Sequence, residues 1–381
     1  MTDDVDFAID ESAAADVSHI LDGLNEAQRQ AVTASPGHML VLAGAGSGKT
    51  RVLVHRIAWL CQVEGASPFN IFAVTFTNKA AAEMRSRVEK LQGMPSAGMW
   101  VGTFHGLSHR LLRSHWKEAG LPQAFQILDA DDQYRLIRRV LKGLELDEAR
   151  WPPRQAQAFI NARKDEGQRP QHVDTAHNPI YTQLVRIYTA YEAACQRAGV
   201  IDFAELLLKT LELLRDNDSL LEHYQNRFKH ILVDEFQDTN TIQYAMVRLL
   251  AGNRNKVFIV GDDDQAIYAW RGARVENIHK FQHDFKDAQI TRLEQNYRST
   301  TTILSAANAL IDNNNDRLGK KLWTSDEDGD PIVFYNAFNE LDEARFVIDR
   351  AKQWAEQGHA RADIAILYRS NAQSRVFEER L

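Results

Sequence analysis

Residues 38–50 read HMLVLAGAGSGKT, and the fold of the chain turns on this stretch. The apolar run at 38–43 has the length and composition of a buried strand. Gly44, Gly46 and Gly48 punctuate the turn after it, with Ala45 and Ser47 between them, and Lys49 and Thr50 lead into a helical pattern over 51–61. Strand, glycine-rich turn and helix in this order form the context a P-loop requires. The glycines let backbone N–H groups turn inward around phosphate oxygens, and the helix N-terminus adds the positive end of its dipole. Lys49 is then placed to reach the β- and γ-phosphates of ATP, and Thr50 to ligate Mg²⁺ through its hydroxyl. The strict spacing asks for glycine at position 43, where this chain has Ala43, a residue small enough to serve.

Outward from this stretch, short apolar runs alternate with helical ones. Residues 71–76 (IFAVTF), 100–103, 230–234 (HILVD) and 256–260 (KVFIV) read as strands, and 79–91 as an Ala-rich helix. Such alternation implies a parallel sheet covered on both faces. Between about residues 114 and 225 the period is helical, as expected of a helical domain inserted into a first α/β domain made of 18–113 and 226–288. A second α/β pattern is read over 289–381. Its strands are expected at 289–293, 331–335 and 363–368, and its helices at 301–313, 341–357 and from Asn371 onward. That pattern is incomplete, because the last helix has no stop signal before Leu381. The acidic, Ala-rich residues 1–17 read as a disordered tail.

The run ILVDE at 231–235 ends an apolar strand in two carboxylates. Asp234 is placed to anchor the metal, and Glu235 to orient and deprotonate the attacking water. Alone, two adjacent acids at a strand end say little. Beside a P-loop they make an NTPase, since phosphoryl transfer needs both a cradle and a metal anchor.

Composition narrows the remaining classes. At 381 residues, 44% hydrophobic and 25% charged, the chain can bury more than one core. No stretch approaches the roughly 20 apolar residues of a membrane span. No secretion signal is read at the N-terminus, so the expected location is cytoplasmic. Cys61 and Cys195 lack metal-ligand spacing and read as ordinary buried cysteines. The net charge of −7 argues against tight duplex binding by counterion release, but not against a groove that grips a strand by stacking. Tyr268, Trp270 and Arg271, in the run YAWR after a polar loop, suit such stacking.

Together these residues resemble the superfamily 1 DNA helicases of the bacterial UvrD/PcrA/Rep type. The likeness is carried by LNEAQRQAV (24–32), VTFTNKAAAEMR (74–85), GTFHGLSHRLLR (102–113), DEFQDTN (234–240), VGDDDQAIYAWRGA (260–273) and QNYRST (295–300). The resemblance implies a RecA-like sheet with an inserted helical domain, the first part of a second RecA-like domain, and ATP with Mg²⁺ held by Thr50 and Asp234. It assigns Gln28 to the adenine edge, Arg51 and Tyr297 to the adenine face, Arg298 to the γ-phosphate, and Gln265 to sensing that phosphate. It assigns Phe76, Asn78, Thr103, His105, Tyr268, Trp270 and Arg271 to single-stranded DNA. The implied activity is 3′ to 5′ translocation and duplex unwinding at single-strand/duplex junctions, in repair or replication beside repair proteins. The family's motifs V and VI are absent, so a motor fragment that binds ATP but does not unwind is expected. A subunit of a helicase–nuclease complex, a plain NTPase and a passive strand binder are the alternatives; Gln265, Trp270 and Arg298 speak against the second of these.

Overall fold

The computed structural model describes residues 17–381 except Met94, Pro95, Ala97, His177, Trp270, Arg271 and Asp316. The tail expected at 1–17 therefore lies, apart from Val17, outside the described residues. The chain divides into two compact units, Met1–Asp326 and Glu327–Leu381.

The first unit is built on six parallel strands. They are β1 (Met39–Ala43), β2 (Ile71–Thr75), β3 (Trp100–Thr103), β6 (His230–Val233), β7 (Lys256–Gly261) and β8 (Gln289–Leu293), in the order β3-β2-β6-β7-β1-β8. The numbering leaves room for β4 (Gln126–Ile127) and β5 (Val200–Ile201), a two-stranded parallel pair inside the helical insertion. Side chains alternate along each sheet strand and separate into two cores. Leu40, Leu42, Phe72, Val74, Ile231 and Val233 face one way, and Met39, Val41, Ala73, Leu232 and Val260 the other. Both faces of β1, β2, β3, β6 and β7 are thus dry, which is why these strands read as largely apolar runs. The edge strand β8 is mostly exposed.

Helices α1 (Ser18–Leu21), α2 (Glu26–Thr33), α3 (Lys49–Gln62), α4 (Asn78–Gln92) and α5 (Phe104–Ser114) occupy the first part. The insertion follows as α6 (Ala130–Gly143), α7 (Pro153–Asp165), α8 (Pro179–Ala198), α9 (Phe203–Arg215) and α10 (Asp218–Arg227). Ile137, Leu141, Ile160, Ile187, Tyr188 and Tyr191 give it a core of its own. It is rooted on the sheet through α9, whose Leu206, Leu207 and Leu214 join the core beneath β2 and β6. Then come α11 (Thr241–Ala251), α12 (Glu276–Asp284) and α13 (Thr301–Ile311).

Two expectations are corrected here. Residues 289–293 were assigned to a second domain, yet β8 pairs with β1 from Met39↔Gln289 to Ala43↔Leu293 and closes the edge of the first sheet. Periodicity marks a strand but carries no address, and only the ladder says which sheet it joins. The segments 331–335 and 363–368 form no strands. They have the composition of strands, but neither pairs with another segment among the described residues, and a strand exists only within a ladder. In the second unit the regular elements are α14 (Glu340–Glu356), capped by Asn339, and α15 (Ser374–Glu378). Tyr335 stacks on Phe346 there, with ring centroids 3.9 Å apart.

Candidate functional site

In a parallel sheet every strand delivers its C-terminal end to the same edge, where ligands of open α/β sheets sit. Here that edge collects the turn after β1, Phe76 after β2, Thr103 at the end of β3, the acid pair after β6 and the polar loop after β7.

The turn after β1 has the shape its glycines predict. Gly46 and Gly48 take φ of 67° and 87°, in the left-handed region, and α3 begins at Lys49 with Gly48 as its N-cap. The carbonyls of the turn are tied back by donors from three directions. Ser47 Oγ donates to Gly44 O at 2.7 Å, Asn296 Nδ2 to Ala45 O at 2.6 Å, the Tyr297 N–H to Gly46 O at 3.0 Å, and Gln28 Nε2 to Ser47 O at 2.9 Å. With the carbonyls so occupied, the turn is organised as an anion nest. The Lys49 ammonium is buried and ion-paired to Glu235 at 3.0 Å.

Thr50 Oγ1 donates to Asp234 Oδ2 at 3.3 Å, so the two expected metal ligands already touch. Burial, and then the charge of Glu235, push the Asp234 carboxyl up to about 6. A carboxylate held at such a cost beside a hydroxyl fits a divalent cation, which would relieve both causes. Glu235 has φ 48°, unusual for a residue with a side chain. Its carboxylate accepts from Gln237 Nε2 at 2.7 Å, while Gln237 Oε1 accepts the N–H of Asp262 at 2.9 Å. A bent backbone and a buried amide thus hold Glu235 in place, the kind of strain that clusters at working sites.

Gln28 is buried, and its amide is used locally. Oε1 accepts the N–H of Asn25 at 3.1 Å in a capping box, and Nε2 serves Ser47. Tyr297 is half exposed, and Asn25 Nδ2 donates to its hydroxyl at 2.7 Å. The Arg51 guanidinium lies against Gly23, so Gln28, Arg51 and Tyr297 gather around the turn between α1 and α2. Arg298 is exposed, and its Cβ packs close to Gly46.

A cavity of about 460 Å³ is lined by Thr50, Asp234 and Glu235 and also by Phe76 and Tyr268. Gln265 lines the same cavity, its amide donating to Asp262. The Phe76 and Tyr268 rings are stacked, 5.1 Å apart and inclined by 22°. Trp270 and Arg271 lie outside the described residues.

A second cavity of about 460 Å³ shares Thr75, Phe76, Thr77 and Asp238 with the first. It is walled by the first turns of five helices: α4 with its N-cap Thr77, α5 with Thr103, α6 with Asp129, α11 with Asn240, and α9 through Phe203 and Ala204. Thr103 Oγ1 donates to Asn78 Oδ1 at 3.4 Å, and His105, its imidazole pKa lowered by burial, meets the edge of Phe203. Among the described lining residues there is no lysine or arginine. Asp238, also in this wall, has its carboxyl pushed up to about 6 by burial and then by Glu235.

The sequence reading passed over Asn25, Gln237, Asp238 and Asn296, although each lies inside or beside a motif it quoted. Their signal is an amide or acid one turn from a named residue, which only contact geometry promotes. It also missed Lys320, a buried ammonium within 2.5–2.8 Å of Asp262, Asp263 and Asp264.

Comparison with known proteins agrees with this geometry. The chain is 65% identical over 366 residues to DNA helicase II of Salmonella typhimurium and 64% identical to that of Escherichia coli. It is 44% identical over 361 residues to the ATP-dependent DNA helicase PcrA of Staphylococcus aureus. These alignments cover 94–96% of this chain and 50–51% of the relatives, so the chain spans about half the length of the curated relatives it matches. The family model for the UvrD-like helicase C-terminal domain matches residues 290–381. Since the model for the UvrD/REP helicase N-terminal domain matches residues 24–286, the chain belongs to the UvrD/REP helicase family.

Proposed function

We propose that this chain is the ATP-hydrolysing, strand-gripping part of a 3′ to 5′ DNA helicase, working in the cytoplasm on single strands and single-strand/duplex junctions. The observation that carries the reading is one cavity lined both by Thr50, Asp234 and Glu235 and by the stacked Phe76 and Tyr268 rings. A site built for phosphoryl chemistry and a pair of aromatic faces share one chamber. A plain NTPase has no use for the aromatic pair.

The mechanism follows from the groups present. Lys49 is ion-paired with Glu235 at 3.0 Å. A nucleotide γ-phosphate competes for the ammonium, and the carboxylate so released can accept a proton from the attacking water. Thr50 and Asp234 would hold Mg²⁺, which when bound would neutralise phosphate charge. Arg298 extends its guanidinium to the γ-phosphate and stabilises charge on the transferring group, as an arginine finger does. Tyr297 and Arg51 flank the base, and Gln28 supports the P-loop from behind. Gln265 lies where a change at the phosphate is felt by the neighbouring Tyr268 loop. Bases stack on Phe76 and the YAWR run, and the backbone lies along the helix N-termini near Asn78, Thr103 and His105.

The test is ATP hydrolysis with and without a single-stranded DNA oligonucleotide, for the chain and for Lys49→Ala. Stimulation by DNA, lost in the variant, supports the reading. Hydrolysis indifferent to DNA would reduce the protein to an NTPase.

A further inference from the structure

Asn296 makes the shortest link between the P-loop and the residue proposed to meet the γ-phosphate. Its side chain is buried, and both of its ends are used. Nδ2 donates to Ala45 O at 2.6 Å, while Oδ1 accepts the N–H groups of Arg298 at 2.8 Å and Ser299 at 2.7 Å. The Tyr297 N–H donates to Gly46 O beside it, and the Asn296 N–H to Trp323 O at 2.7 Å. The approach is close enough that a Cβ added at Gly46 would lie 2.5 Å from Asn296 Nδ2 and 2.8 Å from Arg298 Cβ.

We infer that Asn296 is a positioning residue that fastens the turn carrying Arg298 to the P-loop, so that Arg298 stands at the cradle before nucleotide arrives. The inference rests on the ATPase reading above and refines it. Arg298 then reaches the phosphate by a swing of its side chain from a fixed backbone. The carboxamide suits the task because it carries a donor and an acceptor on one short stem. Aspartate keeps the acceptor for the Arg298 and Ser299 N–H groups but sets an oxygen against Ala45 O. Serine keeps a shorter acceptor for the turn and cannot reach the P-loop.

The experiment uses the intact chain, Asn296→Asp, Arg298→Ala and the double variant. It reads kcat and KM for ATP in the presence of a single-stranded oligonucleotide, and affinity for a fluorescent ADP. Asn296→Asp should lower kcat about tenfold or more while ADP affinity stays within about threefold. The double variant should be no slower than Arg298→Ala within about twofold, since residues acting as a unit are not additive. If thermal melting shows that Asn296→Asp is unfolded, Asn296→Ser carries the same comparison. The inference is overturned if kcat survives within about twofold, if the two losses multiply, or if ADP affinity falls in step with kcat. These outcomes leave the ATPase reading standing so long as Lys49→Ala abolishes hydrolysis. A wild-type chain inert toward ATP instead removes that reading, and this inference with it.

Discussion

Lys49 and Glu235 face each other at 3.0 Å, and on the proposed mechanism each has its task only when the other lets go. Removing either should therefore have a different signature. Lys49→Ala is expected to abolish hydrolysis and weaken nucleotide binding. Glu235→Gln should bind ATP at least as well as the parent, because the competitor for Lys49 has lost its charge, while hydrolysis falls about 10²–10⁴-fold. Equilibrium binding of a fluorescent nucleotide, run beside phosphate release, separates the two. A Glu235→Gln chain that lost binding together with turnover would show the carboxylate to be structural. At this scale the sequence was eloquent about chemistry and silent about support. The P-loop and the acid pair are legible because their spacing is dictated by phosphate and metal. Gln237 and Asn296 are not, since an amide that holds a neighbour in place looks like any polar residue until its partners are known.

Among the elements, the helical insertion carries the most expensive electrostatics. Lys164 of α7 has a side chain only 2% exposed and lies 2.7 Å from Asp202 and 2.9 Å from Glu205. Arg169 adds pairs to Glu205 and Glu212, and although burial opposes its charge, Lys164 and Arg169 hold the Glu205 carboxyl down at about 2. Lys164→Ala would leave two acids buried without their cation, at an expected cost of about 3–5 kcal/mol in a denaturant titration. A loss below about 1 kcal/mol would mean that Arg169 alone satisfies them. Asp165 behaves in the opposite sense. Burial, then the charges of Asp202 and Glu166, push its carboxyl up from 3.8 to about 6. An acid raised on folding destabilises the fold where it must ionise, so the cost is full above pH of about 6 and vanishes below about 4. Asp165→Asn keeps an acceptor for Asn240 Nδ2 and should raise the melting temperature at pH 8, with the gain fading toward pH 4. An equal gain at both pH values would assign the effect to packing. Element positions were largely readable, since apolar runs and helix starts are local signals. Partnership was not: β8 and the segments 331–335 and 363–368 have strand composition alike, and only β8 found a ladder.

For the whole molecule, a net charge of −7 and a cavity lined, among the described residues, by helix N-termini rather than basic side chains lead to one expectation. Affinity for a single-stranded oligonucleotide should fall less than about tenfold between 50 and 200 mM salt, where a binder making many phosphate contacts through basic side chains loses several orders of magnitude. Fluorescence anisotropy across that range decides it, and a steep slope would locate the grip on cationic surface elsewhere. The overall architecture was legible because a parallel sheet, a helical insertion and their order are written in periodicity. The shared chamber between chemistry and grip was not, since it arises from which strands lie side by side. β2, which leads to Phe76, and β6, which leads to Asp234, are adjacent in that sheet, with the Asp234 N–H bonded to Val74 O at 2.8 Å. Neighbouring strands are about 4.8 Å apart. On the proposed function, the strand-binding and hydrolytic parts of the chamber then stand on adjacent strands of one ladder. Tension on a bound single strand should therefore act as drag on hydrolysis, and fuel consumption should fall when the track is pulled backward.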